Sequence, residues 1–261
     1  MSTNKTFNRR SNRRNRTINR RSLLRNIGLV SSGTLGGFLL GRVSNSSSND
    51  TSDRGSKLDA PQIFKKCVES VVVINIHAKN SFGTGFCLDN VPISGKNTTF
   101  VATADHVTMG ENIKRYMLNM EAATMTSRAG RVSPIGDAFV RYKFADMAAF
   151  SCNLDLKPLT LAKETPAIGE SIYTLGHPLG DEYTISSGIV SGYNFDSGIP
   201  KMQITAPISP GSSGGPVLNQ WGEVVGIVSS YKKAGQNLNQ VVSLSEIIAL
   251  RYRLHTLART S

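Results

Sequence analysis

Beyond Lys57 the chain runs in short apolar stretches punctuated by Gly, Pro, Asn and Asp. Val71–His77, Gly85–Leu88, Thr99–Thr103, Gly136–Tyr142, Met147–Ser151, Ser171–Leu175, Tyr183–Val190, Met202–Thr205, Pro216–Leu218 and Glu223–Ser229 have the length and residue types of β-strands. Many short strands separated by turn residues predict an all-β sandwich or barrel. One helix is predicted, over about 244–258: Ser243 and Glu246 have the spacing of a capping box, and Ile247, Leu250, Leu254 and Leu257 share a face. No internal repeat is visible.

The first 57 residues have a different texture. An Asn/Arg-rich stretch (Met1–Arg21) leads into a weakly apolar one (Ser22–Gly41) and then a Ser/Asn/Asp stretch (Ser44–Ser56), which predicts a basic, largely disordered segment. The whole chain carries a net charge of +12. Most of that excess falls before Ser56, so the remainder is nearly neutral, and any case for nucleic-acid binding concerns the tail alone. The apolar part from Asn26 to Gly41 is short for a membrane span, which requires about 20 residues.

Arg20-Arg21-Ser22-Leu23-Leu24-Arg25, followed by that apolar run, resembles a twin-arginine export signal, although no clean small-residue cleavage site precedes Ser56. Contact with a membrane or an export machinery through residues 1–57 is the reading it favours. A mitochondrial transit peptide, a viral Arg-rich arm for nucleic acid and a solvated tail with no address are the alternatives. Cys67, Cys87 and Cys152 are odd in number and widely spaced, which suits buried free thiols better than a zinc site or a disulfide framework.

Gly211-Ser212-Ser213-Gly214-Gly215-Pro216 is the most specific chemical motif. A serine that attacks a carbonyl needs a tight turn and backbone N–H groups aimed where negative charge develops. Glycines on both sides of Ser213 allow this, with the N–H groups of Gly211 and Ser213 as the candidate oxyanion hole. A base is also required. Among the four histidines, His77 alternates within a strand, His177 lies in a Gly-His-Pro turn and His255 is on the terminal helix. His106 stands where the strand Phe100–Thr103 gives way to a loop edge, a position from which an imidazole can point into a cleft.

Phe100-Val101-Ala102-Thr103-Ala104-Asp105-His106-Val107, Ala145-Asp146-Met147-Ala148-Ala149-Phe150 and the Ser213 motif, in that order, resemble the trypsin-like serine proteases. Gly83-Thr84-Gly85-Phe86, Leu175-Gly176-His177-Pro178-Leu179-Gly180, Ser187-Gly188-Ile189-Val190-Ser191 and Gly222-Glu223-Val224-Val225-Gly226-Ile227 narrow the likeness to the HtrA/Deg branch, over about Pro61 to Leu250. The resemblance implies a protease domain over 58–261, made of two six-stranded antiparallel β-barrels at about 61–155 and 160–242 and the C-terminal helix. The implied triad is His106, Asp146 and Ser213, with Asp137 as the rival for the aspartate. Ser229 and Tyr231 would lie on the edge strand that pairs with substrate, and Pro207 near the floor of the specificity pocket.

Ser212 replaces the aspartate that secreted digestive relatives pair with a new N-terminus, and Val107 replaces one of their disulfide cysteines. No PDZ domain is expected after the protease. The implied activity is endoproteolysis of polypeptides through an acyl-enzyme, with no metal or organic cofactor. The alternatives are a viral or nucleic-acid-associated polyprotein-processing protease and a catalytically silent relative that binds peptides.

Overall fold

The computed structural model describes residues 55–77, 81–108, 123–180, 183–231 and 238–260. Nearly all of the tail, and with it the export-signal motif, lies outside the described residues. Among the described residues no helix is long and apolar enough to cross a membrane.

The first lobe is a seven-stranded antiparallel sheet ordered β5-β4-β1-β2-β3-β7-β6. Its strands are β1 (Val71–Ile76), β2 (Ser81–Ile93), β3 (Lys96–Ala104), β4 (Ala123–Ser127), β5 (Val132–Pro134), β6 (Phe139–Tyr142) and β7 (Met147–Cys152). Six strands closing on themselves were expected. Instead the edges β5 and β6 are joined by the chain between them, where Ile135 donates to Ala123 and Gly136 to Ser151. Pro134 has no N–H to extend a ladder there. The second lobe is a closed six-stranded barrel, β10-β13-β12-β11-β8-β9. It comprises β8 (Ser171–Gly176), β9 (Thr184–Asp196), β10 (Ile199–Ile204), β11 (Pro216–Leu218), β12 (Val224–Tyr231) and β13 (Asn239–Ser243).

Alternation along the strands fills the interiors. Val72, Ile74, Val101 and Phe150 pack inside the first lobe, and Ile172, Val190, Met202 and Val217 inside the second. A third cluster, with Phe86, Phe100, Leu175 and Leu218, joins the lobes.

Among the described residues there are three α-helices. α1 (Ala60–Cys67) follows a reciprocal capping box, in which Asp59 accepts from the Gln62 N–H and Gln62 from the Asp59 N–H, each at 2.9 Å. α2 (Asp105–Thr108) is one turn and carries His106. α3 (Leu244–Thr260) starts directly after Ser243, as the sequence indicates, and buries Ile247, Leu250 and Leu254 completely. The Ser243 hydroxyl meets that of Ser245 at 3.0 Å. Asp89 on β2 accepts from Arg251 at 2.6 Å and pairs with His255 at 2.9 Å, which ties α3 to the first lobe. All three cysteines are buried and free, and burial pushes the Cys67 thiol up to about 11.

Candidate active site

His106 and Asp146 come from the same end of the β3–β7 pair, one just after β3 and the other just before β7. That register sets Ala104 opposite Met147, so the residues just beyond, on α2 and in the turn before β7, are neighbours. Asp105 donates its N–H to the Asp146 carbonyl at 3.1 Å. A 3-10 turn over Lys143–Ala145 brings the chain into Asp146, which adopts the left-handed conformation at φ 58°, ψ 47°. Aspartate enters this region more readily than bulky residues do, which suits it to a turn that must reverse direction in one step.

The carboxylate then receives four contacts from three donor groups. Oδ1 accepts the His106 backbone N–H at 3.0 Å, and the two oxygens lie 3.1 and 2.9 Å from His106 Nδ1. Oδ2 also accepts the Ser229 hydroxyl at 2.6 Å. Burial alone would raise the Asp146 pKa. The hydrogen bonds and charge of His106, aided by Ser229, outweigh it and hold the carboxyl below its ordinary value. The imidazole ring itself is half exposed, with Nδ1 turned inward to the aspartate.

Ser213 lies on a loop clamped from both lobes. The Thr84 N–H on β2 donates to the Ser213 carbonyl at 2.9 Å, and the Gly214 N–H donates to Val228 on β12 at 2.7 Å. The Thr84 hydroxyl donates to the Gly211 carbonyl at 2.7 Å and accepts the His177 N–H at 3.1 Å. Two glycines are sterically obligatory. Gly211 has φ +97°, and a side-chain carbon there would lie 2.2 Å from the His177 carbonyl oxygen. Gly214 has φ +86°, with the Thr84 carbonyl oxygen equally close. Among the described residues neither the Gly211 nor the Ser213 N–H donates to a protein acceptor. The Ser213 hydroxyl donates to the Ser229 carbonyl at 3.4 Å, and no hydrogen bond joins it to His106 among the described residues.

The structure therefore sets His106 against Asp146 and links the Ser213 loop, which also carries Gly211, to that aspartate through Ser229. Asp137 lies before β6, outside this set of contacts. Ser229 is buried and turns its hydroxyl to Asp146, a contact with the aspartate that the sequence reading did not assign. Tyr231 ends β12 paired with Asn239; its side chain is outside the described part. Pro207 is exposed in the loop after β10, next to Ala206, whose carbonyl accepts from Asn239 at 2.6 Å. Thr84 also escaped the sequence reading as an organiser of the site, although a hydroxyl residue between two strand glycines is a signal that the backbone comes close there.

The family model described as Trypsin-like peptidase domain matches residues 83–227, more than half of the chain, and it spans the candidate histidine, aspartate and serine. This chain belongs to the trypsin-like peptidase family. Among its relatives within that family, the serine protease HtrA-like of Staphylococcus haemolyticus is 27% identical over 217 residues, covering 72% of this chain and 32% of the relative. The probable periplasmic serine endoprotease DegP-like of Hahella chejuensis is 41% identical over 87 residues, covering 31% of this chain and 19% of the relative. This trypsin-like chain thus spans about a third or less of the length of those two relatives. Its fold matches a serine endoprotease from Yersinia pestis (TM-score 0.61, 19% identity, 77% of this chain and 68% of that one). It also matches a protease from M. tuberculosis in its active form (TM-score 0.62, 20% identity, 76% and 88%).

Proposed function

We propose that this chain is a serine endopeptidase that works through His106, Asp146 and Ser213 by way of an acyl-enzyme. The observation that carries this reading is the Asp146 carboxylate, held by both the backbone N–H and the Nδ1 of His106 while the Ser213 loop is clamped between the lobes.

The chemistry follows from these positions. Asp146 accepts a hydrogen bond from Nδ1–H, which fixes the tautomer in which Nε2 carries the free lone pair. In this reading the Ser213 hydroxyl leaves the Ser229 carbonyl and turns to Nε2 when substrate binds, as such contacts often tighten only then. As Oγ attacks the peptide carbonyl, its proton passes to Nε2 and the carbonyl π electrons move onto oxygen, which the Gly211 and Ser213 N–H groups stabilise. Collapse of the tetrahedral species expels the amine, protonated by His106, and leaves an ester on Ser213. Water then repeats the sequence, returning the proton to Ser213 Oγ as the acid departs.

Pro207 brings no charge with which to hold Lys or Arg. Cleavage is expected after small or medium apolar residues such as Val, Ala or Leu, and a peptide-library profile dominated by Arg or Lys would refute this. Residues 1–57 are read as a delivery or anchoring segment for work outside the cytoplasm. Fluorophosphonate labelling tests the central reading: the wild-type chain reacts once, at Ser213, and Ser213→Ala does not. An unreactive wild type that binds peptides would instead indicate a silent relative.

A further inference from the structure

Lys201 lies on β10, a strand of the second lobe whose burial follows from barrel closure, and it is only 6% exposed. Lysine is almost never buried to this degree unless paired. Its ammonium nevertheless forms no ion pair among the described residues. It donates instead across the lobe boundary to the carbonyl of Ala145, at 3.4 Å. Ala145 is the last residue of the 3-10 turn whose cap is the left-handed Asp146.

Three acids, each from a different element, act on this ammonium: Asp146 before β7, Asp196 at the end of β9 and Glu246 in the first turn of α3. Burial lowers the Lys201 pKa, and these three charges oppose the fall. Asn194, its partner across the β9–β10 pair, has a buried side-chain oxygen with no donor among the described residues. The acids and the unpartnered Asn194 oxygen thus give this cation an electronegative setting. The acids do not neutralise it by contact, and the contact it does make is with the backbone beside Asp146.

We propose that Lys201 is a positioning residue for the triad, fixing the Asp146 turn from the opposite lobe and setting a positive charge behind the His106–Asp146 pair. This rests on the triad reading above. Two consequences follow. The hold on Ala145 keeps the carboxylate aligned with Nδ1, and misplacement by about 1 Å in such a constellation costs as much as about a hundredfold in rate. The charge disfavours a second positive charge on the imidazole, which is paired with the Asp146 carboxylate and follows directly on Asp105, itself paired with Arg141.

The test uses Lys201→Met, which keeps the length of the side chain and removes the ammonium. Exchange of a buried charge for an apolar group of similar size is tolerated in many folds. The variant should melt within a few degrees of wild type, with kcat lower by about ten- to a hundredfold and KM little changed. The acid limb of its pH profile should move to higher pH by about half a unit. Lys201→Arg should restore the acid limb. The His106 Nδ1–H proton resonance, followed against pH in the Ser213→Ala background, should shift its midpoint in the same direction on adding Lys201→Met.

That resonance needs no turnover, so it separates the two readings. A shifted midpoint in a chain inert to substrates and to fluorophosphonate supports Lys201 as a positioning residue and removes the protease reading. An active wild type whose Lys201→Met variant keeps kcat, acid limb and resonance unmoved overturns the role of Lys201. A variant with a lowered melting temperature but an unmoved midpoint makes Lys201 merely structural and also overturns it.

Discussion

Asp105 and Arg141 form a two-pronged ion pair beside the candidate histidine, with Nε–Oδ1 at 2.5 Å and Nη2–Oδ2 at 2.8 Å. Asp105 immediately precedes His106 and is 5% exposed, while Arg141 lies on β6, which leads into the Asp146 turn. The pair therefore closes a loop between the segments that carry His106 and Asp146. Removing Arg141 leaves the Asp105 carboxylate buried alone, at a typical cost of about 3–5 kcal/mol, whereas removing Asp105 leaves a partly exposed guanidinium and should cost less. Arg141→Met or Asp105→Asn should lower the urea midpoint and kcat/KM together, and the double variant should recover part of the stability. Losses that add without coupling in that cycle would show that the two side chains act separately.

Ser213→Ala should remove turnover without altering the fold, and His106→Ala should do nearly the same. Triad members act as a unit, so each loss should cost about 10⁴ to 10⁶ in kcat, roughly 5–8 kcal/mol of barrier, and the double variant should be hardly worse. Asp146→Asn should also be severe, because its amide favours the wrong imidazole tautomer. Retention of wild-type casein hydrolysis by Ser213→Ala would end this serine's assignment.

Much of this architecture was legible in the chain. The apolar runs anticipated β1, β3, β7, β8 and β11 closely, because those strands are buried and rich in Val, Ile, Phe and Leu. The strands β4, β5 and β13 were not. Ala123–Ser127 and Asn239–Ser243 are largely polar or small and become strands because the lobes close upon them; Val132–Pro134 is too short to show a period. α1 has only Ile63 and Cys67 buried, so its apolar face is too sparse to read; its Asp59–Gln62 cap was the available signal. The candidate triad could be picked out in the chain because glycines and the His–Asp–Ser order mark it. Thr84, Ser229 and Lys201 could not, since their roles depend on partners 127, 83 and 56 residues away.

Thr84→Val keeps the shape of a fully buried side chain and removes its hydroxyl. The Gly211 carbonyl then loses its donor and the His177 N–H its acceptor, at about 1–3 kcal/mol of stability for each unpaired group. Gly211 supplies one of the two candidate oxyanion donors, so kcat should fall by about tenfold or more with KM nearly unchanged. Thr84→Ser, which retains the hydroxyl, should stay close to wild type. Equal kcat in the valine and serine variants would mean that the clamp does not orient the oxyanion loop.

His177 supplies a stability test that needs no substrate. Its ring meets Tyr183 edge-on with centroids 4.0 Å apart, and both ring nitrogens are buried without partners among the described residues. Burial lowers its pKa from 6.5 to about 4, since nothing nearby compensates the charged form. Between those values the unfolded chain binds a proton that the folded one refuses, so stability rises with pH across the interval. The neutral ring thus costs nothing above about pH 6.5, and folding weakens as pH falls toward 4, by on the order of 3 kcal/mol in all. His177→Phe preserves a flat ring against Tyr183 but cannot titrate. Urea midpoints measured from pH 7.5 to 4 should fall more steeply in wild type than in the phenylalanine variant, with the curves diverging below about pH 6.5. Parallel curves would show that His177 takes up its proton in the folded state, with a partner reached by local rearrangement.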